Sequence, residues 1–198
     1  LRELLRDLRK ILARADLDPD RKLAAVAAGV RAVIAQVPPA GPSPATRLAI
    51  AMRTEGRPFT LLAAEAAGEE VRVKLNRTED RPPNDQEWRL LSRPGKVRCR
   101  AGHLYLPGSG LVIAQVTSAV NLFRLDAFAR AELASGDIPL GAVLAALPGA
   151  RRETLEARET SDGRVLSSAR MHAGGWPVAL ATEVVTAEFA AMAGNRLP

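Results

Sequence analysis

Two alternating segments near the C-terminus, 164–172 and 177–186, are separated only by Ala173-Gly174-Gly175-Trp176. A glycine pair accepts the positive φ angles that a two-residue hairpin turn demands, so the two segments are predicted to be adjacent antiparallel strands. Further strand signals lie upstream. Val71, Val73 and Leu75 alternate with Arg72 and Lys74, the period of a half-buried strand. Val97-Arg98-Cys99-Arg100 and Leu104-Tyr105-Leu106 read as strand, 111–117 as a buried strand, and 153–159 as one whose apolar positions are Leu155 and Ala157.

Helical signals are grouped before and between these strands. Ser43-Pro44 is an N-cap followed by proline, opening a helix through Leu48, Ala49 and Met52. Phe59 to Ala67 is a second helix closed by Gly68. Residues 122–133 and 139–147 read as two more, and Arg81-Pro82-Pro83-Asn84-Asp85 as a loop. The expected class is α+β, an antiparallel sheet of about six strands with helices over one face. Ahead of it, Leu1, Leu4, Leu5, Leu8, Ile11 and Leu12 form one apolar helical stripe. A second helix over 20–36 completes a helical hairpin at 1–37, followed by the stiff Pro38-Pro39-Ala40-Gly41-Pro42. The expected division is 1–37 and 43–198. The hairpin either packs on its own domain or joins two copies as a homodimer.

Composition narrows the function classes. The 198 residues are 47% apolar and 25% charged, the mix of a folded globular chain. One cysteine, Cys99, excludes a disulfide framework or a cysteine-built zinc site, and two histidines, His103 and His172, argue against a metal centre. No apolar run reaches the length of a membrane span, so a cytoplasmic protein with no membrane, metal or cofactor partner is expected. The net charge is +6. The stretch 81–100 alone holds 6 basic and 2 acidic residues, without the interleaved aromatics that stack on bases. A small organic anion met by a few arginines explains this excess as well as a polyanion does, and so does a solvated basic surface. Taken with the rest of the sequence, the expectation is a small anion and no nucleic acid.

There is no G-x-G-x-x-G, Walker loop, G-x-S-x-G or HExxH. Two features stand out instead. Glu183 interrupts the apolar run Val178-Ala179-Leu180-Ala181-Thr182-Glu183-Val184-Val185, so it faces either solvent or an interior partner. Arg98 and Arg100 share one strand face, as an anion clamp or as cross-strand partners of acids.

The order of these pieces carries a resemblance. Gly-Arg-Pro-Phe-Thr between the first two helices, the arginine-bearing strand, Asp137-Ile138-Pro139-Leu140-Gly141, and Arg170-Met171-His172-Ala173-Gly174-Gly175-Trp176-Pro177 running into Thr182-Glu183 occur in that sequence. Over about 43–190 the chain resembles the chorismate lyase (chorismate pyruvate-lyase) family. The resemblance implies a six-stranded antiparallel sheet enclosing an aromatic-acid site. It also implies cofactor-independent release of pyruvate from chorismate to leave 4-hydroxybenzoate. By the same resemblance Arg100, or alternatively Arg98, holds the ring carboxylate, Phe59 and Leu140 line the substrate, and Glu183 reaches the ring hydroxyl. Chorismate or a similar aromatic or enolpyruvyl acid is then the expected substrate. Phe59 departs from the smaller or unbranched residue usual there, and 114–117 carries no charge. The alternative is a non-catalytic effector-binding module of the same fold, which occurs as the ligand-sensing half of some bacterial transcription regulators. Only about 40 residues precede the domain here, against the longer winged helix-turn-helix of such regulators.

Overall fold

The turn at Gly174 (φ 56°) and Gly175 (φ 80°) joins strands Val165–Ala173 and Trp176–Val185 as a tight hairpin. This is a computed structural model, and it describes residues 18, 20, 24, 26, 27, 41–92 and 94–197. The helical hairpin expected at 1–37, and the homodimer expected through it, fall outside the described residues apart from those isolated positions. Within Pro42–Pro198 the order is α1 (Pro44–Thr54), α2 (Phe59–Ala67), β1 (Arg72–Arg81), α3 (Asp85–Leu90), β2 (Val97–Tyr105) and β3 (Val112–Val120). There follow a 3₁₀ turn (Leu122–Arg124), α4 (Ala127–Ser135), α5 (Leu140–Ala145), β4 (Arg151–Glu159), β5 (Val165–Ala173), β6 (Trp176–Val185) and α6 (Ala187–Gly194). The strands form one antiparallel sheet in the order β1-β2-β3-β6-β5-β4. The fold is the expected α+β class.

One face of the sheet carries the main core. Val73, Leu104, Ala114, Val165 and Val185 pack with Leu48 of α1, Phe59 of α2 and Phe189 of α6. On the same face Val120, Met171 and Ala179 pack with Leu133 of α4 and Leu144 of α5. Phe59 and Phe189 meet edge to face, with ring centres 6.2 Å apart, a favoured aromatic geometry. Among the described residues the opposite face bears the short α3 end, where Leu91 packs on Val97 and Ala119.

Three elements differ from the sequence reading, each through a local interaction. The expected loop at 81–85 opens α3, because Asn84 and Glu87 form a capping box. The expected helix 122–133 is broken. Asp126 accepts a hydrogen bond from the Ala129 amide and caps a new helix there. The two strand pieces at 97–100 and 104–106 are one strand, β2. Its Gly102 lies against the β1 bulge, where an added Cβ would stand 2.2 Å from the Lys74 carbonyl oxygen. Among the described residues no helix is long and apolar enough to cross a membrane.

Helix α6 closes on α1 through Gly194, where an added Cβ would lie 1.8 Å from the Pro44 carbonyl oxygen. Gly194→Ala therefore forces two backbones apart, an overpacking cost of about 1–3 kcal/mol. Gly95, with nothing within 4 Å of a built Cβ, tolerates alanine. Urea unfolding of the two variants checks the contrast, and equal midpoints would contradict it.

Candidate ligand-binding site

The cavity begins with a row of small side chains. On the helix-facing side of the sheet Arg100, Ser118, Ala181, Ala169 and Thr154 lie in register across five strands. Beside them runs the row Gly102, Val116, Glu183 and Ser167. Where other rows fill this layer with leucine and methionine, Ser118 and Ala181 leave space. The roof is the start of two helices, Pro58-Phe59-Thr60 of α2 and Pro139-Leu140-Gly141 of α5. They approach so closely that a Cβ on Gly141 would lie 2.5 Å from Thr60 Oγ1. The space between roof and sheet, counted together with the open solvent at its mouth, is about 530 Å³.

Glu183 faces this interior and not solvent. Its carboxylate accepts from Arg152 Nη1 at 2.9 Å and from Nη2 at 3.0 Å, a bidentate pair with both side chains nearly inaccessible. Arg152 reaches it from two strands away, and two of its three other hydrogens are used as well. Nη2 donates to Ser167 Oγ at 2.6 Å and Nε to Thr154 Oγ1 at 3.1 Å. Thr154 in turn donates to the Met52 carbonyl of α1 at 2.5 Å. A buried pair supported this fully is self-sufficient.

Arg152 was not among the expected site residues. The expected alternation placed Leu155 and Ala157 together on the inner face. A bulge between Thr154 and Glu156 resets the phase of β4, so Arg152, Thr154 and Ala157 point inward while Leu155 is 43% exposed. The available signal was an arginine two residues from a threonine on a charged strand, which by itself does not mark a bulge.

Arg100 is the opposite case. It is 4% exposed and lines the cavity. Its one hydrogen bond among the described residues is long, Nη2 to the Ile138 carbonyl at 3.4 Å, and its Nε has no partner. Among the described residues it makes no ion pair. Burial, and after it the nearby Arg98 charge, lowers its pKa, although a guanidinium stays protonated. Thr60 Oγ1, on the roof, is a second buried polar atom without a partner. Buried polar groups are ordinarily satisfied, and two that are not, one on the sheet and one on the roof, both line this cavity. The α2 start adds the field of a helix N-terminus, since Pro58 provides no side-chain cap.

The other expected residues divide. Phe59 and Leu140 line the cavity as the first residues of α2 and α5. Arg98 does not line it. It pairs with Asp80 across β1 at 2.7 and 3.1 Å, which leaves Arg100 as the uncompensated member of the two. Cys99 points to the opposite face from both arginines, and burial raises its thiol pKa.

No protein-family model and no curated protein matches the sequence. Solved structures do. YydK of Bacillus subtilis, described as a transcriptional regulator, matches at TM-score 0.45 and 11% identity over 60% of this chain and 58% of that one. The effector domain of PhnF from Mycobacterium smegmatis matches at TM-score 0.47 and 11% identity over 67% and 90%. A GntR-family transcriptional regulator from Bacillus cereus matches at 0.42 and 7% over 61% and 94%. The chain thus spans less than two thirds of YydK, and these likenesses concern the fold.

They correct one expectation. The matched proteins are transcription regulators and effector domains, not lyases, so the carbon–oxygen lyase converting chorismate to 4-hydroxybenzoate and pyruvate is withdrawn. The glutamate expected to reach the ring hydroxyl has its charge neutralised by Arg152.

Breaking the pair strands a buried charge. Arg152→Met is expected to cost about 3–5 kcal/mol in urea unfolding, and adding Glu183→Leu to restore most of it. A double variant no more stable than the single would show that the pair is not the cause. A second expectation concerns pH. Asp80, Glu87 and Glu153 are each held below the usual carboxylate range, first by hydrogen bonds from Arg98, Arg81 and Arg170. A depressed folded pKa contributes stability above the unfolded value and loses it as pH falls through the folded one. The urea midpoint should therefore be level from about pH 7 to 5 and fall below about pH 4. A midpoint that rises on acidification would contradict this.

Proposed function

We propose that the domain 43–198 is a small-molecule effector-binding module whose ligand is a small, flat organic acid. The observation that carries this reading is the buried, unpaired guanidinium of Arg100 over a cavity with an otherwise mostly apolar lining. An uncompensated charge in that position destabilises the empty protein. A carboxylate supplies what it lacks, in a geometry that suits the guanidinium fork. The floor of Ser118 and Ala181 under Phe59 and Leu140 favours a planar ring or a similarly flat body. The orphan Thr60 hydroxyl on the roof offers a further hydrogen bond. Binding alone is assigned, with no chemical step. The fold likeness to regulator effector domains accords with such a module.

The reading makes opposite predictions for stability and for binding at one residue. Arg100→Met removes the buried charge and keeps the apolar bulk, so the ligand-free variant should be more stable than the parent by about 1–4 kcal/mol. The same variant should lose the rise in melting temperature that saturating benzoate or 4-hydroxybenzoate gives the parent. Thermal melts with and without these acids check both halves. If the parent binds no organic acid in calorimetry, or if Arg100→Met binds as well as the parent, the reading fails.

A further inference from the structure

The charges on the cavity wall carry the argument one step beyond an acid-binding site, and this step rests on that reading. Among the described residues lining the cavity only Arg100, Arg152 and Glu183 are charged. Arg152 and Glu183 neutralise one another at 2.9 and 3.0 Å, so the site holds a single net positive charge, at Arg100. Arg98, the next guanidinium along β2, is already neutralised by Asp80. We propose that the Arg152–Glu183 pair makes this site selective for monoanions: one carboxylate at Arg100, and an uncharged remainder facing the pair.

The physical reason is charge balance where water is scarce. An unmatched charge inside a protein interacts far more strongly, and is far more costly, than the same charge in water. A monocarboxylate brings the site to neutrality. A dicarboxylate or phosphate monoester leaves one negative charge over, and a zwitterion that pairs its carboxylate with Arg100 leaves its own positive charge over. A second anion at Arg152 would compete with Glu183 for a charge that is already balanced, and four of the five N–H groups of Arg152 already serve Glu183, Ser167 and Thr154. The carboxylate of Glu183 still has lone pairs for a neutral donor such as a hydroxyl or amide. Glu183 is thus cast as a specificity-determining residue that sets the charge of the ligand.

The test is calorimetric titration of the full chain with planar acids of one shape, at mildly alkaline pH where a phosphate monoester carries both charges. Benzoate and monomethyl terephthalate are the monoanions. Terephthalate, which differs from its monomethyl ester chiefly in charge, and phenyl phosphate are the dianions. Monomethyl terephthalate is expected to bind about tenfold or more tighter than terephthalate. A dianion binding at parity or better overturns the proposal while leaving the acid-binding site standing. Silence from every acid instead removes the site itself, and the proposal with it. Glu183→Gln supplies the second arm. It keeps the size of the side chain and an acceptor for Arg152, but raises the net charge of the site by one. Preference should then turn toward terephthalate by about tenfold relative to the parent. A folded Glu183→Gln with the parent's preference overturns the proposal. If this variant does not fold, the parent's ratio of ester to diacid decides alone.

Discussion

The guanidinium of Arg152 lies across three strands and binds something on each. It starts on β4, donates to Ser167 on β5 and holds both oxygens of Glu183 on β6. Through Thr154 the same network reaches the Met52 carbonyl of α1. Strand β4 is an edge of the sheet, and an edge strand has unpaired backbone groups to satisfy. α1 answers several of them from the side. Arg53 donates to the Ala157 carbonyl, and the Arg152 amide donates to the Gly56 carbonyl just beyond the helix. The buried ion pair and this coverage act on the same strand, so the end of the sheet that closes the cavity is held by polar contacts where the rest of the core relies on apolar packing.

The two buried arginines show opposite uses of one side chain. Arg152 is satisfied, and its surroundings are complete without a ligand. Arg100 sits four strands away on the same face with one long hydrogen bond and a bare Nε. Local rules of polar satisfaction are obeyed at the first and broken at the second. Natural proteins break such rules mainly at functional sites, where the loss in stability is balanced by a gain in binding. The distinction also separates Arg100 from Arg98, which alternation places on the same face. What divides them is the partner strand, since Asp80 of β1 stands opposite Arg98 whereas Thr78 stands opposite Arg100.

Much of the architecture is visible in local pattern. The Gly174-Gly175 hairpin, the alternation of Val71, Val73 and Leu75, and the Ser43-Pro44 helix start are short-range signals, and short-range physics sets them. The helix breaks at Asp126 and the start at Asn84 are also local, in capping residues that the apolar period does not register. The site is less legible. Phe59, Arg100, Leu140 and Glu183 converge on one cavity, and the chain order of a familiar fold brought them to attention. Their periodicity did not. Arg152 stayed hidden because the bulge at Thr154/Glu156 reverses which side chains of β4 face inward, and a one-residue shift in a strand inverts its faces.

The sequence by itself therefore determined an antiparallel α+β domain, the position of its terminal hairpin, and an arginine and a glutamate set in places where charge is unusual. These follow from period, turn chemistry and capping, all of which act over a few neighbouring residues. Only the tertiary structure decided that Glu183 belongs to Arg152 and that Arg100 belongs to nothing in the described chain. Pairing of buried charges depends on strand order, register and bulges, which bring residue 152 beside residue 183 and leave residue 100 facing an open cavity. Long-range geometry of that kind, rather than any residue type, separates a buried charge that is matched from one that is not.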